Sequence, residues 1–336
     1  MLRKQWMLVF MLAVVSLLAA CSDEAEEQST NEPHVLKIGH ATAIDHFGHT
    51  SFERFQELVE TNSDGQIQVE IYPASELGGE REMLEMLLMG ELTMMAPASA
   101  ILDAATKYMA VWDLPYLFTD FETAHRVLDG EVGQYVLDSM ADKGLVGIAY
   151  WENGFRHLTN SVRPVTTVAD MARLNMRTLE NPMQIKAWSL TGANAAPLAF
   201  NAVYDALKTK QFDAQETPLT LMYSMKFHEV QNHLTLTGHT YSPWPVVVNK
   251  SFYDQLSPDL QQVVTNAVLE VRDYNRQLSK EDEQKALQQL KQAGLAVVEL
   301  PEEEKLKFKE AMSGIYEDVK ADVGEEFYNK LMEAAK

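Results

Sequence analysis

Leu145-Val-Gly-Ile-Ala-Tyr150 runs directly into Trp151-Glu-Asn-Gly-Phe-Arg-His-Leu-Thr-Asn-Ser161. The first six residues are apolar and read as a strand. The next eleven set an aromatic, an amide and an arginine around Gly154 and read as a glycine turn. Outward from this stretch the same pattern recurs. Before it come the short alternating strand His34-Val-Leu-Lys-Ile-Gly39, a second strand over 66–72 and a third over 92–96; after it comes a strand over 174–178. An amphipathic helix with Phe52, Phe55 and Val59 inward ends at Asp64-Gly65, and another helix covers 80–89. Strands alternating with helices predict an α/β chain with parallel-sheet character, and a length of 336 residues suits two domains better than one.

Two segments hint that the domains are related. Leu87-Leu-Met-Gly-Glu-Leu-Thr-Met94 and Leu207-Lys-Thr-Lys-Gln-Phe-Asp-Ala214 both run from helix end through a tight turn into a short strand. The strands lead to Pro97-Ala98-Ser99 and to Gln215-Glu216-Thr217-Pro218. Ligands of open α/β sheets sit beyond the carboxyl ends of strands, so both segments are expected to face one cleft. Ser257 as N-cap and Pro258 at the first helical position open a helix that runs to about residue 292, before Gly294. A helix of that length can brace two lobes from behind.

The N-terminus carries an address. Arg3 and Lys4 precede an apolar run over 7–18, too short for a stable membrane span, and Leu18-Ala19-Ala20-Cys21 resembles a bacterial lipobox. Residues 1–20 therefore read as a lipoprotein signal peptide and Cys21 as the lipidated N-terminus. Residues 21–33 read as an acidic, flexible tether holding the protein at the outer face of a membrane. Cys21 is the sole cysteine, which leaves the mature chain without disulfides, a thiol nucleophile or a thiolate metal site. With 28 basic against 49 acidic residues the chain carries a net charge of -21, which argues against nucleic acid as a partner. An anionic ligand would be repelled by the global field, so a few local cations must capture it.

Arg156 and Arg177 are the candidates for that capture. Arg177 stands in a strand between apolar residues, where an unpaired guanidinium is costly, and its planar fork matches a carboxylate. The plain alternative for either arginine is a structural ion pair. An enzyme reading finds little to work with: His40, His46 and His49 can be drawn as a metal cluster, but no carboxylate stands at a familiar ligand spacing beside them. The sequence contains no nucleophile elbow, phosphate loop or dinucleotide fingerprint. No metal and no cofactor are expected. Methionines 83, 86, 89, 94 and 95 read as core filling.

The ordered set Trp151–161, Arg177, Ala193-Asn-Ala-Ala-Pro197, Val203-Tyr-Asp-Ala-Leu207 and Asp213-Ala-Gln-Glu216 resembles the substrate-binding proteins of TRAP transporters, the DctP type. Ser75-Glu-Leu-Gly-Gly-Glu-Arg81, Trp112-Asp-Leu-Pro-Tyr-Leu-Phe118, Lys226-Phe-His-Glu-Val230 and Thr237-Gly-His-Thr-Tyr241 extend the likeness over the folded chain. The resemblance implies a two-lobed, class II periplasmic-binding-protein-like fold with two mixed sheets flanked by helices, hinge strands and the long bracing helix. Lobe 1 is expected over 34–153, completed by part of 240–336, and lobe 2 over 154–239, completed by part of 257–336. The implied function is capture of a small organic acid, a C4-dicarboxylate or a sugar acid such as a uronate, for delivery to the small and large permease subunits. A lipid-anchored sensor would use the same cleft. By resemblance Arg177 makes a bidentate salt bridge to the ligand carboxylate, Arg156 faces the cleft and Phe200 packs on the ligand. Thr217 stands where the family carries a ligand-contacting asparagine, and Lys210 and Ala214 replace glycines. Trp151, Asn153, Asn201 and Trp244 are plausible readers of a polyol chain, and Ser99, His40, Gln215, Glu216 and His239 complete the expected site. The receptor is expected to be a monomer.

Overall fold

The strand that begins at Leu145 does not stop at the glycine. In the computed structural model, which describes residues 32–336, it continues unbroken as one 16-residue strand, Leu145–Asn160. The reason is its partner: strand His233–Asn249 supplies ladder positions on both sides of Gly154, pairing Glu152 with Pro243 and Gly154 with Ser242. Residue 153 is the extra one, and Gly154 takes φ +117°, a backbone setting that glycine adopts without a Cβ penalty. The expected turn is therefore a bulge. Further irregularities fall between Gly147 and Ala149 and between Arg156 and Leu158.

Nine strands of the described residues form one sheet: β1 His34–Gly39, β2 Ile67–Tyr72, β3 Met94–Met95, β4 Leu145–Asn160, β5 Asn175–Thr178, β6 Asn194–Pro197, β7 Ala214–Pro218, β8 His233–Asn249 and β9 Ala296–Glu299. Their order is β2-β1-β3-β8-β4-β7-β5-β6, with β9 beside β8. The wings β2-β1-β3 and β7-β5-β6 are parallel; β8 and β4 run antiparallel to each other and to the wing strands beside them. The two mixed sheets expected from the resemblance are present as two wings, fused because β4 and β8 are long enough to serve both. β3 is shorter than the expected 92–96 strand, since Pro97 has no N–H to extend a ladder.

Alternation along β1 buries Leu36 and Ile38 and exposes Lys37, and Phe52, Phe55 and Val59 of helix Phe47–Asn62 close over that face. Met83, Met94 and Met95 are core residues as expected, whereas Met89, at the last helical position before Gly90, is 66 % exposed.

The long helix is Pro258–Gln292, with Ser257 Oγ accepting from the Leu260 N–H at 3.3 Å. Its 35 residues span roughly 52 Å. Val264, Val268 and Val271 pack with Phe52, Phe55 and Trp151 under the first wing, while Ala286 and Leu290 pack with Leu219 and Met222 of the helix that follows β7 and with Leu234 of β8. Cys21 and the signal peptide lie outside the described residues, as does most of the tether. No helix among the described residues is long and apolar enough to cross a membrane.

Candidate functional site

The crossing of β4 and β8 places side chains of both wings around one cavity. Asn153 and Arg156 reach it from β4, Thr217 from β7, Trp244 from β8 and Phe200 from the 3-10 turn Phe200–Ala202. Ala41, Thr42, Glu80, Ala98, Leu179 and Leu221 complete its lining. Glu80 opens helix Glu80–Met89, and its Oε1 accepts the Ala98 N–H at 3.1 Å. Burial pushes its carboxyl above the usual range, opposed by that hydrogen bond and by the charges of Arg177 and Arg156.

β4 and β7 pair in a register that sets Arg156 opposite Pro218 and Leu158 opposite Glu216. Arg156 therefore grips Glu216 with two edges: Nε and Nη2 bind its carboxylate, the latter at 2.9 Å, and Nη2 also donates to the Glu216 carbonyl at 2.8 Å. The side chains of both are at least 98 % buried. His239 Nε2 adds a contact to Glu216 Oε2 at 3.1 Å. Burial alone would raise the Glu216 carboxyl; the Arg156 guanidinium and the His239 hydrogen bond override it and hold it at about 2. Glu216 is thus an anion at any physiological pH, and it consumes the half of Arg156 best suited to gripping a carboxylate.

Arg177 is different. It is 1 % exposed on β5, and its Nε and Nη2 both donate to the Leu198 carbonyl, at 2.9 and 2.6 Å. That carbonyl fixes the plane of the guanidinium, whose carbon lies 5.9 Å from the centre of the Phe200 ring. Nη1 is buried without a hydrogen-bond partner. Burial lowers its pKa to about 10, which leaves it a cation. No carboxylate lies within salt-bridge distance of it among the described residues. Asn153 Oδ1 and Thr217 Oγ1, both facing the same cavity, are also buried without partners. One guanidinium nitrogen behind the cavity, with an amide oxygen and a hydroxyl facing it, is left unpaired, which is costly in an empty fold and suited to an oxygen-rich anion.

Of the thirteen residues expected at the site, Asn153, Arg156, Phe200, Thr217 and Trp244 line the cavity. Arg177, Glu216 and His239 stand one layer behind, in the charge network just described. The other five lie elsewhere. Trp151 is fully buried between Phe52 and Phe55, its Nε1 donating to the Val268 carbonyl at 3.0 Å, so it fastens the long helix. Gln215 points to Thr159 Oγ1 at 2.7 Å. His40 binds Thr42 Oγ1 and His49 Nδ1 with its two ring nitrogens and stacks on Phe52. Ser99 is buried at the start of a 3-10 helix, and Asn201 is exposed. The main omission is Glu80. It stands in the quoted 75–81 segment, where its place at a helix start masks a second role.

Three comparisons bear on this arrangement. The family model for bacterial extracellular solute-binding protein family 7, DctP, matches residues 38–322. The 2,3-diketo-L-gulonate-binding periplasmic protein YiaO of Escherichia coli strain K12 is 39% identical over 263 residues, 78% of this chain and 80% of that protein. The C4-dicarboxylate-binding periplasmic protein DctP of Rhodobacter capsulatus is 35% identical, covering 88% of this chain and 89% of its own. Among solved structures, the sugar acid binding protein DctPAm of Advenella mimigardefordensis, in complex with galactonate, superposes with a TM-score of 0.88 at 34% identity, over 90% of this chain and 98% of that one.

Proposed function

Since the chain belongs to the DctP family of bacterial extracellular solute-binding proteins and serves outside the cytoplasm as the solute receptor of a TRAP-type transporter, we propose that its ligand is a hydroxylated monocarboxylate, a sugar acid, held by Arg177. The observation that carries this reading is the commitment of Arg156 to Glu216. Among the described residues around the cleft, Arg177 is the guanidinium left without a carboxylate, so one ligand carboxylate is provided for. A second would meet Glu80 in place of a cation. Glu80, Asn153 and Thr217 instead offer acceptors and a hydroxyl to ligand OH groups. The 2,3-diketo-L-gulonate and galactonate named for two of the relatives are acids of this kind; the dicarboxylates named for a third are not.

A desolvated guanidinium–carboxylate contact supplies charge-assisted hydrogen bonds of roughly 1.5–3 kcal/mol each. Calorimetry with galactonate, gluconate and succinate tests the reading. At least one sugar acid is expected to bind, Arg177→Ala to weaken it by about 100-fold or more, and Arg177→Lys to fail similarly because the fork is lost. Tighter binding of succinate than of every sugar acid would overturn the ligand class, and an unchanged affinity in Arg177→Ala would overturn the role of Arg177.

The lobes 34–153 and 154–239 are taken to close on the ligand about the β4–β8 crossing, with the receptor acting as a monomer that delivers to the small and large permease subunits. The lipobox places a lipid on Cys21 in this reading, keeping the receptor near its permease at high effective concentration. Cys21→Ala is expected to free it from the membrane fraction; retention there would refute the anchor.

A further inference from the structure

Beside the ligand cavity lies a second space, a groove of about 630 Å³ between the turn at Asp45–His46, helix Leu219–Ser224 and the far part of the long helix. The partition between the two is thin. Trp244 lines the inner cavity, and the His46 ring packs against its edge, ring centres 5.9 Å apart. Leu221 lines the inner cavity while its neighbour Thr220 lines the groove. Gly48 permits the close approach: a Cβ there would stand 2.8 Å from the Trp244 ring.

Three buried polar atoms along the groove have no hydrogen-bond partner: His46 Nε2, Thr220 Oγ1 and Ser224 Oγ. His46 and Thr220 are each more than nine-tenths buried. The chemistry of His46 is fixed by its other nitrogen. Nδ1 accepts the Gly48 N–H at 3.0 Å, and burial keeps the ring neutral, its pKa lowered to about 3. The proton therefore resides on Nε2, which is an unsatisfied donor. A neutral donor and two hydroxyls match the hydroxyl and ether oxygens of a carbohydrate. The charges at the groove's edge do not favour a second anion, since Lys285 is paired with Asp282 at 2.9 Å and Asp45 stands nearby.

The inner cavity is the smaller of the two spaces, so the acid unit is assigned to it and any extension to the groove. We propose that the groove is an outer subsite for a second, neutral sugar unit, so that the receptor takes glycosylated sugar acids, with the acid end on Arg177 and the extension passing Trp244 to His46, Thr220 and Ser224. This rests on the sugar-acid reading of the inner site.

The test compares maltobionate and lactobionate with gluconate, the acid unit of both, by calorimetry, with galactonate as a second simple acid, using wild type, Thr220→Val, Ser224→Ala and Arg177→Ala. At least one of the extended acids is expected to bind tenfold or more tightly than its parent. The two groove variants should erase that advantage and leave the parent acid within twofold. A parent that binds as tightly as the extended acids would overturn the outer subsite, as would groove variants that weaken both equally. Arg177→Ala should abolish all binding. If none of the four acids binds wild type, the inner-site reading fails, and a ligand-free measurement still decides the groove. Thr220→Val removes a hydroxyl that has no partner in the fold, so it should raise the melting temperature of the free protein. A lower melting temperature would show the hydroxyl bonded within the fold and would overturn the subsite.

Discussion

Arg156 and Arg177 look alike in sequence and differ in the fold because of what reaches them first. Glu216 arrives from β7 and neutralises Arg156, while a backbone carbonyl, which carries no net charge, orients Arg177. Glu80 is the third member of this set, and in the proposed reading it selects between ligand classes. Its carboxyl is pushed up by burial, against the charges of Arg177 and Arg156, and in its ionised form it accepts from a ligand hydroxyl and opposes a second ligand carboxylate. Glu80→Gln removes that charge and keeps the shape. Affinity for hydroxylated monocarboxylates is expected to fall about tenfold, while succinate binding improves, as read by competitive calorimetry. A parallel loss for both classes would show that Glu80 acts only through local structure.

At the scale of elements, one side chain of the long helix reaches both a neighbouring helix and the strand crossing. Asn275 is fully buried; its Oδ1 accepts the N–H of Glu152, beside the β4 bulge, at 2.6 Å, and its Nδ2 donates to Ser51 Oγ at 3.0 Å. One amide thus joins the long helix, helix Phe47–Asn62 and the strand crossing. Asn275→Leu keeps the volume and orphans a buried backbone N–H, which costs about 1–3 kcal/mol. Chemical denaturation should show a lower midpoint with an unchanged slope; an unchanged midpoint would mean that water or a backbone shift satisfies Glu152.

At the scale of the whole molecule, acid stability is a balance of buried groups. His40, His46 and His157 are held by burial at about 3, so between about 6.5 and 3 the unfolded chain binds protons that the native state refuses, and acidification destabilises. His239 is shifted the same way. Burial also raises Asp113 and Glu283 to about 7, and from 7 down to about 4 these bind protons in the native state first, so acidification stabilises through them. Glu80 is shifted in their direction. The opposing groups nearly cancel above about pH 4.5. Below that the carboxyls protonate in the unfolded chain too, and the stability from Glu216, held at about 2, is lost as pH falls toward that value. Melting temperature should therefore be nearly flat from pH 7 to 5 and fall steeply below 4.5. Asp113→Asn keeps a side-chain oxygen for Gln184, which donates to it at 2.9 Å. It should gain stability relative to wild type as pH rises from 5 to 8; a pH-independent difference would refute the balance.

Sequence alone determined the features governed by near neighbours. Ser257 and Pro258 mark the start of the long helix because a cap and a missing N–H act within one turn. Leu36, Lys37 and Ile38 mark a strand because its faces alternate every residue. The motif set also identified the family, and by resemblance it singled out Arg177 as the residue proposed to meet the ligand's carboxylate. What tertiary structure decided depends on partners far along the chain. Gly154 is a bulge in a strand and not a turn, because β8 pairs on both sides of it. Trp151 belongs to the core and not the cleft, because the long helix covers it. Glu216 belongs to Arg156 across 60 residues, because the β4–β7 register brings them together. A residue's periodicity is written locally, but the identity of the charge it meets is set by strand register, and that register is what gives Arg156 its carboxylate.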